Sequence, residues 1–442
     1  MGRPRKNAAK PDAQELALVP EEEQPYQLPE GWKWVRLGGI YQINPKSKAE
    51  DDTLASFVPM EKIDPGMKGT FTFDVQPWGK IKKGHTQFEN GDIAFAKISP
   101  CFENGKSMLV QGLKNGLGAG TTELIVLRQP NVFQKYTFYL VSSSDFIQKG
   151  TQTYSGTVGQ QRINMDFVRN YPIPLPPLDV QERIVTHIES LFAKLDEAKE
   201  KAQAALNSFE TRKAAILHKA FTGELTAKWR EERGIGKESW SQKTFANLIH
   251  KIEAGKNFRC EERPPVDGEV GVVKVSAVTW GTFNEHESKT CPDSSYYNEH
   301  YKIKNGDLLF SRANTIDLVG KFVIVDNIVK TLMLSDKILR ITTTNDITQN
   351  YLFLFSCSTS YRAQIERLAS GNQDGMRNVS QKNLLKVQIP LPPVLEQQEI
   401  TRILDSLLEK EQQSKAAAET VLAQIDLMKK AILAKAFRGE LG

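Results

Sequence analysis

The segment Ile173-Pro-Leu-Pro-Pro177 decides the fold, because it recurs as Ile389-Pro-Leu-Pro-Pro393, 216 residues further along the chain. The sequence after each copy repeats at the same offset, since Ala215-Ile-Leu-His-Lys-Ala-Phe-Thr-Gly-Glu-Leu225 returns as Ala431-Ile-Leu-Ala-Lys-Ala-Phe-Arg-Gly-Glu-Leu441. A weaker copy lies upstream, where Asn90-Gly-Asp-Ile-Ala-Phe-Ala-Lys97 matches Asn305-Gly-Asp-Leu-Leu-Phe-Ser-Arg312 at an offset of 215. The repeat indicates two tandem halves, each a divergent module followed by a well-matched tail.

The length and composition indicate a water-soluble protein of several domains. At roughly 150 residues per domain, the 442 residues correspond to about three domains. The chain is 40% hydrophobic and 25% charged, which is ordinary for globular proteins. No stretch approaches the ~18 apolar residues of a membrane span, and the four cysteines lie far apart without a CxxC pair. We therefore predict a cytoplasmic protein without membrane association, whose net charge of +5 permits nucleic-acid binding but does not require it.

Each tail is predicted to form a long helix with apolar residues at heptad spacing. Both helices begin after a Pro-Pro pair and end near a glycine, Gly223 or Gly439. The predicted seam consists of Ile184, Ile188, Leu191, Leu195 and Phe209 in the first helix and Ile400, Leu404, Leu407, Val421 and Ile425 in the second. Because such a seam needs a partner, we predict that the two helices form an antiparallel coiled coil within the chain, with approximate twofold symmetry. An ordinary bundle core or a homodimeric coiled coil is the alternative.

The modules upstream of the tails are predicted to mix strands and helices. Module one, residues 28–177, has strand-like runs such as 92–98 and 123–128 and a helical run at 136–149. Module two, residues 226–393, repeats this pattern, with strand-like runs at 272–278 and 337–342 and a helical run at 351–368. We interpret Gly116-Leu-Gly118-Ala-Gly120 as a turn between strands. The predicted fold class is therefore α+β (α/β-like), with two tandem modules joined by two long helices.

The chain is predicted to divide into five segments. They are a disordered tail at 1–27, module one at 28–177, a helical segment at 178–225, module two at 226–393 and a second helical segment at 394–442. Disorder is expected in the first segment because a basic stretch precedes the acidic Glu21-Glu-Glu23 without any hydrophobic periodicity.

Catalytic signatures are absent from the sequence. Gly105-Lys106-Ser107 ends like a phosphate-binding loop, but Pro100 occupies the place of its first glycine and a strand-like run follows. The six histidines show no metal-ligand spacing. We therefore predict no catalytic residue, no metal site and no cofactor on this chain.

The order of these segments resembles the specificity (S) subunit of type I restriction-modification systems. The resemblance includes Leu28-Pro-Glu-Gly-Trp32, the motif Asn305-Gly-Asp-Leu-Leu-Phe-Ser-Arg312, and Phe221-Thr-Gly-Glu-Leu-Thr-Ala-Lys-Trp229 after the first helix. It implies a non-catalytic subunit whose two modules are target recognition domains, each reading one half of a bipartite, asymmetric sequence in double-stranded DNA. It also implies that the helices form an antiparallel spacer.

The resemblance further implies partners. Two modification subunits would dock on the chain, bind S-adenosylmethionine and methylate adenine at N6, and two restriction subunits with ATP-dependent activity would join that core. The alternative left open by the sequence is an autonomous sequence-specific DNA-binding regulator built on the same scaffold.

Candidate DNA-binding residues occupy matching positions in the two repeats, and each could equally be an ordinary solvated residue. In module one they are Lys97 and Ser99 after the Asn-Gly-Asp strand and Gln160, Gln161, Arg162 and Asn164 before the last strand. In module two they are Arg312, Asn314, Gln373, Arg377, Asn378 and Ser380. Lys80, Lys82, Lys83, Lys274 and Ser276 are candidates for contact with phosphates.

Overall fold

The computed structural model describes residues 18–129, 131–371 and 376–441, which divide into two compact units. Unit 1 comprises the described residues up to 203 and those from 420 onward, and unit 2 comprises residues 204–419. Each unit holds one module and part of each long helix. The mixed helix and sheet content agrees with the predicted fold class.

Unit 1 is built from two four-stranded sheets and a layer of helices. Its strands are β1 Lys33–Arg36, β2 Gln42–Ile43, β3 Leu54–Val58, β4 Asp74–Pro77, β5 Thr86–Glu89, β6 Ile93–Ala96, β7 Ser107–Leu109, β8 Leu117–Gly120, β9 Leu124–Arg128 and β10 Pro172–Leu175. Its helices are α1 Leu37–Ile40, α2 Trp78–Ile81, α3 Gln134–Val141, α4 Ser144–Thr151, α5 Met165–Asn170 and the first part of α6 Leu178–Phe221. The sheet orders are β4-β3-β8-β5, in which β3 and β8 are parallel, and β2-β9-β6-β7, while β1 pairs with β10.

Alternation along β6 explains why the sheet β2-β9-β6-β7 is covered on both faces. Ala94 packs with Val58 and Phe88 of the other sheet, whereas Ile93 and Phe95 belong to the core formed with the helices. All four residues of β6 are therefore buried.

Unit 2 has a closely similar plan. Its strands are β11 Ser241–Thr244, β12 Ile249–Ala254, β13 Val270–Val273, β14 Ser288–Thr290, β15 Leu308–Ser311, β16 Ala313–Asn314, β17 Phe322–Ile324, β18 Thr331–Met333, β19 Ile338–Thr343, β20 Arg377–Asn378 and β21 Gln388–Leu391. Its helices are α7 Ala227–Glu231, α8 Phe245–Leu248, α9 Gln349–Ser356, α10 Thr359–Leu368, α11 Gln381–Leu384 and the first part of α12 Val394–Phe437. The sheet orders are β12-β19-β15-β17 and β14-β13-β18, and β11-β21 and β16-β20 form separate pairs.

The two long helices, α6 and α12, each have 44 residues and run antiparallel where they meet within each unit. In unit 2, Phe209 lies 4.9 Å from the Lys415 ammonium, and Arg212 Nε donates to Glu411 Oε2 at 2.8 Å. Residue numbers therefore increase along α6 while those of the contacting residues decrease along α12. In unit 1, Ile184 near the start of α6 shares a core with Leu433 near the end of α12. The antiparallel pairing of the helices is confirmed in each unit.

Most residues of the predicted seam are buried or half-buried in the structure. Ile184, Ile188, Phe209, Ile400, Leu404 and Ile425 are buried, and Leu191, Leu195 and Leu407 are half-buried. Val421 contradicts the prediction, because it is 38% exposed. Beyond Glu411 the buried side of α12 passes through Lys415, Ala418 and Lys429 instead. The two lysines cover the rings of Phe209 and Phe192 and thus occupy seam positions that a search for apolar residues misses.

The predicted turn at Gly116-Leu-Gly118-Ala-Gly120 is wrong, because residues 117–120 form the buried strand β8. The glycines are required by close packing. A Cβ on Gly118 would lie 2.4 Å from the Phe88 ring, and one on Gly120 would lie 2.4 Å from the Val58 carbonyl oxygen. The glycines therefore allow a ring and a neighbouring backbone to approach the strand.

Each predicted helical run in the modules is broken into two helices by a capping serine. Ser143 accepts a hydrogen bond from Phe146 N at the start of α4, and Ser358 accepts one from Tyr361 N at the start of α10. A serine side chain that caps a new helix competes with continuation of the preceding one.

The segment predicted to be disordered, residues 1–27, is ordered from Leu18 onward, and residues 1–17 lie outside the described part of the chain. Leu18 forms a bridge with Val35, and Val19 is buried. Tyr26 donates its hydroxyl hydrogen to the Phe437 carbonyl at 2.8 Å. These contacts attach the segment to the core of unit 1.

Candidate nucleic-acid interface

In module one, two candidate groups that are distant in sequence lie side by side. Ser99 N donates to the Gln161 carbonyl at 2.8 Å, and Ile163 N donates to the Lys97 carbonyl at 3.0 Å. Arg162 thereby faces Ile98 as an antiparallel bridge partner. Residues 97–99 and 161–163 are called the paired segments of module one.

Arg162 is held by a carboxylate that the sequence did not indicate. Its Nε donates to Glu123 Oε2 at 2.9 Å and its Nη2 to Glu123 Oε1 at 2.8 Å. These hydrogen bonds from Arg162 lower the pKa of the Glu123 carboxyl, and the charge of Lys97 adds to the effect. The guanidinium is thus oriented before any ligand binds.

The other candidates of module one divide into exposed and structural residues. Gln160 is exposed, whereas Ser99 donates its hydroxyl hydrogen to Glu103 Oε1 at 2.9 Å. Asn164 accepts a hydrogen bond from Asp166 N at 2.8 Å and caps α5. A helix cap accounts for Asn164 without a ligand.

Module two has the equivalent arrangement. Its paired segments are residues 312–314 and 377–379, in which Ala313 pairs with Asn378 and Asn314 with Arg377. Val379 N donates to the Arg312 carbonyl at 2.8 Å, which matches the bond from Ile163 to Lys97 in module one.

Two arginines of these paired segments donate hydrogen bonds to neutral oxygen atoms. Arg312 Nε donates to Asn378 Oδ1 at 3.4 Å, and Arg377 Nη1 donates to the Gly371 carbonyl at 2.7 Å. Ser380 caps α11 by accepting a bond from Asn383 N. Gln373 lies outside the described residues.

The duplicated hydrogen bonds identify equivalent positions and reveal a charge reversal. Lys97 N donates to the Glu123 carbonyl, and Arg312 N donates to the Lys337 carbonyl. Glu123 and Lys337 are each the residue before the strand that pairs with β6 or β15. Aligning β9 with β19 would have matched Glu123 with Lys337. The repeated sequence motifs do not include either residue.

The remaining lysine candidates lie outside the paired segments. Lys80 and Lys83 are exposed, and Lys82 forms an ion pair with Asp51. Between their loop and the paired segments, unit 1 has a cavity of about 310 Å³ whose lining includes the basic side chains of Lys46, His85 and Lys97.

Lys274 and Ser276 are engaged by carboxylates. Lys274 Nζ lies 3.5 Å from Glu262 Oε2, and Ser276 donates to Glu287 Oε2 at 2.5 Å. The single hydroxyl hydrogen of Ser276 is thus used by Glu287, whereas the charge of Lys274 is partly neutralised by Glu262.

The paired segments can serve the two tasks of DNA recognition. Lysine and arginine cations attract phosphates, and arginine, asparagine and glutamine present hydrogen-bonding groups that match base edges. Within residues 18–129, 131–371 and 376–441, no group of three or more His, Cys, Asp or Glu is arranged to hold a metal ion. No helix in these ranges is long and apolar enough to cross a membrane.

The fold and these sites define a tandem recognition protein, with two similar modules that present different polar side chains from one scaffold. The family model described as type I restriction modification DNA specificity domain matches residues 29–207 and again residues 239–420. The chain belongs to this family of type I restriction-modification specificity subunits.

Individual relatives agree with this assignment. The chain is 31% identical to the type I restriction enzyme EcoEI specificity subunit of Escherichia coli, over 86% of this chain and 78% of the relative. It is 24% identical to the MjaVIII specificity subunit of Methanocaldococcus jannaschii, over 90% of this chain and 92% of that protein. The fold matches the crystal structure of the HsdS subunit from Thermoanaerobacter tengcongensis with a TM-score of 0.70 at 20% identity, over 95% and 99% of the two chains.

Proposed function

We propose that each module of this specificity subunit reads one half of a bipartite, asymmetric DNA sequence. The observation that carries the proposal is the duplicated pair of segments with different side chains at equivalent positions. Lys97 corresponds to Arg312, Ser99 to Asn314 and Arg162 to Asn378. Arginine matches the edge of guanine and asparagine that of adenine, so the change from Arg162 to Asn378 predicts half-sites that differ in sequence.

The chain acts in this proposal as a non-catalytic component of a cytoplasmic complex. Two modification subunits dock on it and carry S-adenosylmethionine, and two restriction subunits carry ATP-dependent activity. A solved structure concerned with complex assembly of the type I restriction-modification system supports a multisubunit setting, since it has the same fold with a TM-score of 0.63. Nothing in the comparisons favours an autonomous regulator.

Co-expression with the modification subunit of the same system tests the proposal. Methylome sequencing should find methylated adenine in one bipartite sequence, and omission of this chain should abolish the modification. Replacing residues 28–170 by the corresponding segment of another family member should change one half-site and leave the other intact. Methylation without this chain, or a change in both half-sites, would contradict the proposal.

A further inference from the structure

Trp280 in unit 2 is unusual among the six tryptophans of the chain, because its side chain is 72% exposed. The other five are buried or half-buried. Within the described residues, the indole has neither a ring contact nor a hydrogen-bond partner for its N–H group. Tryptophan buries much apolar area when it packs, and its N–H group usually has a hydrogen-bond partner when it is buried. Both the ring and the N–H group of Trp280 are therefore accessible to a ligand.

The backbone around Trp280 is fixed by buried contacts. The residue follows a short 3-10 helix, Val275–Val278, whose Ala277 and Val278 are fully buried. Thr279 is also buried and donates its hydroxyl hydrogen to the Val275 carbonyl at 2.9 Å. The indole is therefore presented from a packed turn.

The same turn contacts the paired segments of module two. Asn314 Nδ2 donates to Thr279 Oγ1 at 3.2 Å, and Asn314 is the strand partner of Arg377. Met376, the residue before Arg377, is 63% exposed. Trp280 is thus adjacent in sequence to Thr279, which contacts Asn314, and Met376 is adjacent to Arg377, the strand partner of Asn314.

This combination fits DNA better than a protein partner. The turn that carries Trp280 is hydrogen-bonded to Asn314, and the segment of Asn314 pairs with Arg377, so the residue adjoins side chains whose hydrogen-bonding groups match base edges. In DNA, an exposed apolar side chain can contact a thymine methyl group, insert at a deformed base step or stack on a base. Neighbouring arginines would hold the phosphates.

We infer that Trp280 is a DNA-contacting residue of module two that makes an apolar contact with a base of its half-site. The inference rests on the proposed function and adds a residue to it. The equivalent 3-10 turn of module one, Met60–Lys62, leads to Pro65 at the matching position and has no aromatic side chain there. The contact is therefore confined to one half-site.

Tryptophan fluorescence of the full chain in complex with its modification subunit tests the inference. The probe is a short duplex that carries the methylated sequence mapped in the host genome, with a shuffled duplex as a reference. Addition of the target should change the emission, and Trp280→Phe should remove that change. Trp229→Phe is the matched control, because Trp229 is half-buried with its ring 4.3 Å from the Arg233 guanidinium, and it should retain the change.

Affinity provides a second measurement. Trp280→Ala should weaken binding of the target duplex about tenfold, the size expected for loss of an aromatic contact with a base, and should reduce discrimination against base changes in one half-site only. Because the side chain is exposed, the melting temperature should be unchanged. Unaltered affinity and emission in the variants, while the wild-type complex binds its target, would overturn this inference alone. An emission change caused by the modification subunit and not by DNA would also overturn it. Failure of the wild-type complex to bind any duplex would overturn the proposed function as well.

Discussion

The two modules share a backbone arrangement but differ in charge at their paired segments. In module one, Glu123 holds Arg162 through two hydrogen bonds. In module two, Lys337 occupies the position of Glu123, and Asn378 occupies that of Arg162. Within the part of the chain that the structure describes, Arg312 forms no ion pair. Equivalent scaffolds can therefore present an oriented, partly neutralised cation at Arg162 in module one and, at Arg312 in module two, a cation without an ion-pair partner among the described residues.

The units also differ where the second long helix begins. Glu396 of α12 is fully buried and accepts hydrogen bonds from Arg230 Nη1 at 2.5 Å, Thr226 Oγ1 at 2.6 Å and Trp240 Nε1 at 2.9 Å. The equivalent residue of α6 in unit 1 is Val180. Unit 2 thus attaches the segment after α6 to its core by a buried polar cluster, whereas unit 1 has an apolar side chain at that position.

Glu396→Ala should cause the largest loss of stability among these substitutions, and it acts in unit 2. Removing the carboxylate leaves the Arg230 guanidinium buried without its partner, which should cost about 3–5 kcal/mol in the free energy of unfolding. Urea unfolding, combined with limited proteolysis of the segment around Arg230, measures the loss.

Val180→Ala in unit 1 is the matched control for this substitution. It removes only apolar contacts of a half-buried side chain, so it should cost about 1 kcal/mol or less. Equal losses for the two variants would show that the buried ion pair adds nothing specific to unit 2.

Lys337→Glu should give module two the charge that module one carries at this position. The new carboxylate next to Arg312 should reduce attraction to phosphates. The slope of log K against log salt concentration should become shallower by about one for each phosphate contact that is lost. Titration of the target duplex at several salt concentrations measures both quantities. Lys243→Glu makes the same charge change at an exposed position on β11 and should have a smaller effect. If Lys243→Glu weakens binding as much as Lys337→Glu, the position beside the paired segments has no special role.

The repeat predicts the architecture well because it is present in the sequence as two equally spaced copies. It also predicts which segments carry the candidate site, but not that they are strand partners, since pairing between residues 97–99 and 161–163 depends on tertiary structure. Glu123 escaped prediction for the same reason. A lone glutamate before a strand has no motif, and its role arises only when the fold places it against Arg162.

The repeated Asn-Gly-Asp motif has a structural explanation that its sequence does not distinguish from a function. Asp92 Oδ2 accepts hydrogen bonds from Glu89 N and Arg128 Nη2, and Asp307 Oδ2 accepts them from Lys304 N and Arg340 Nη1. The Asn-Gly-Asp motif thus closes a turn in both modules.

Val421 was misassigned because Lys415 and Lys429 take positions in the helix contact that apolar periodicity alone assigns to other residues.

Glu123→Gln should have the smallest effect on stability. The size of this effect should depend on pH in module one but not in module two. Because the pKa of Glu123 is lowered in the fold by its hydrogen bonds with Arg162, its ionised form stabilises unit 1 above the ordinary carboxyl pKa. This contribution is lost as the pH falls through the lowered pKa. The variant should therefore be slightly less stable than the wild type at neutral pH, by an amount typical of a partly exposed ion pair, and the two melting temperatures should converge in acid. Lys337→Gln in module two should show no such convergence, since Lys337 has no ion-pair partner within the described residues. A constant difference between wild type and Glu123→Gln across this pH range would contradict a stabilising contribution from the ionised carboxylate.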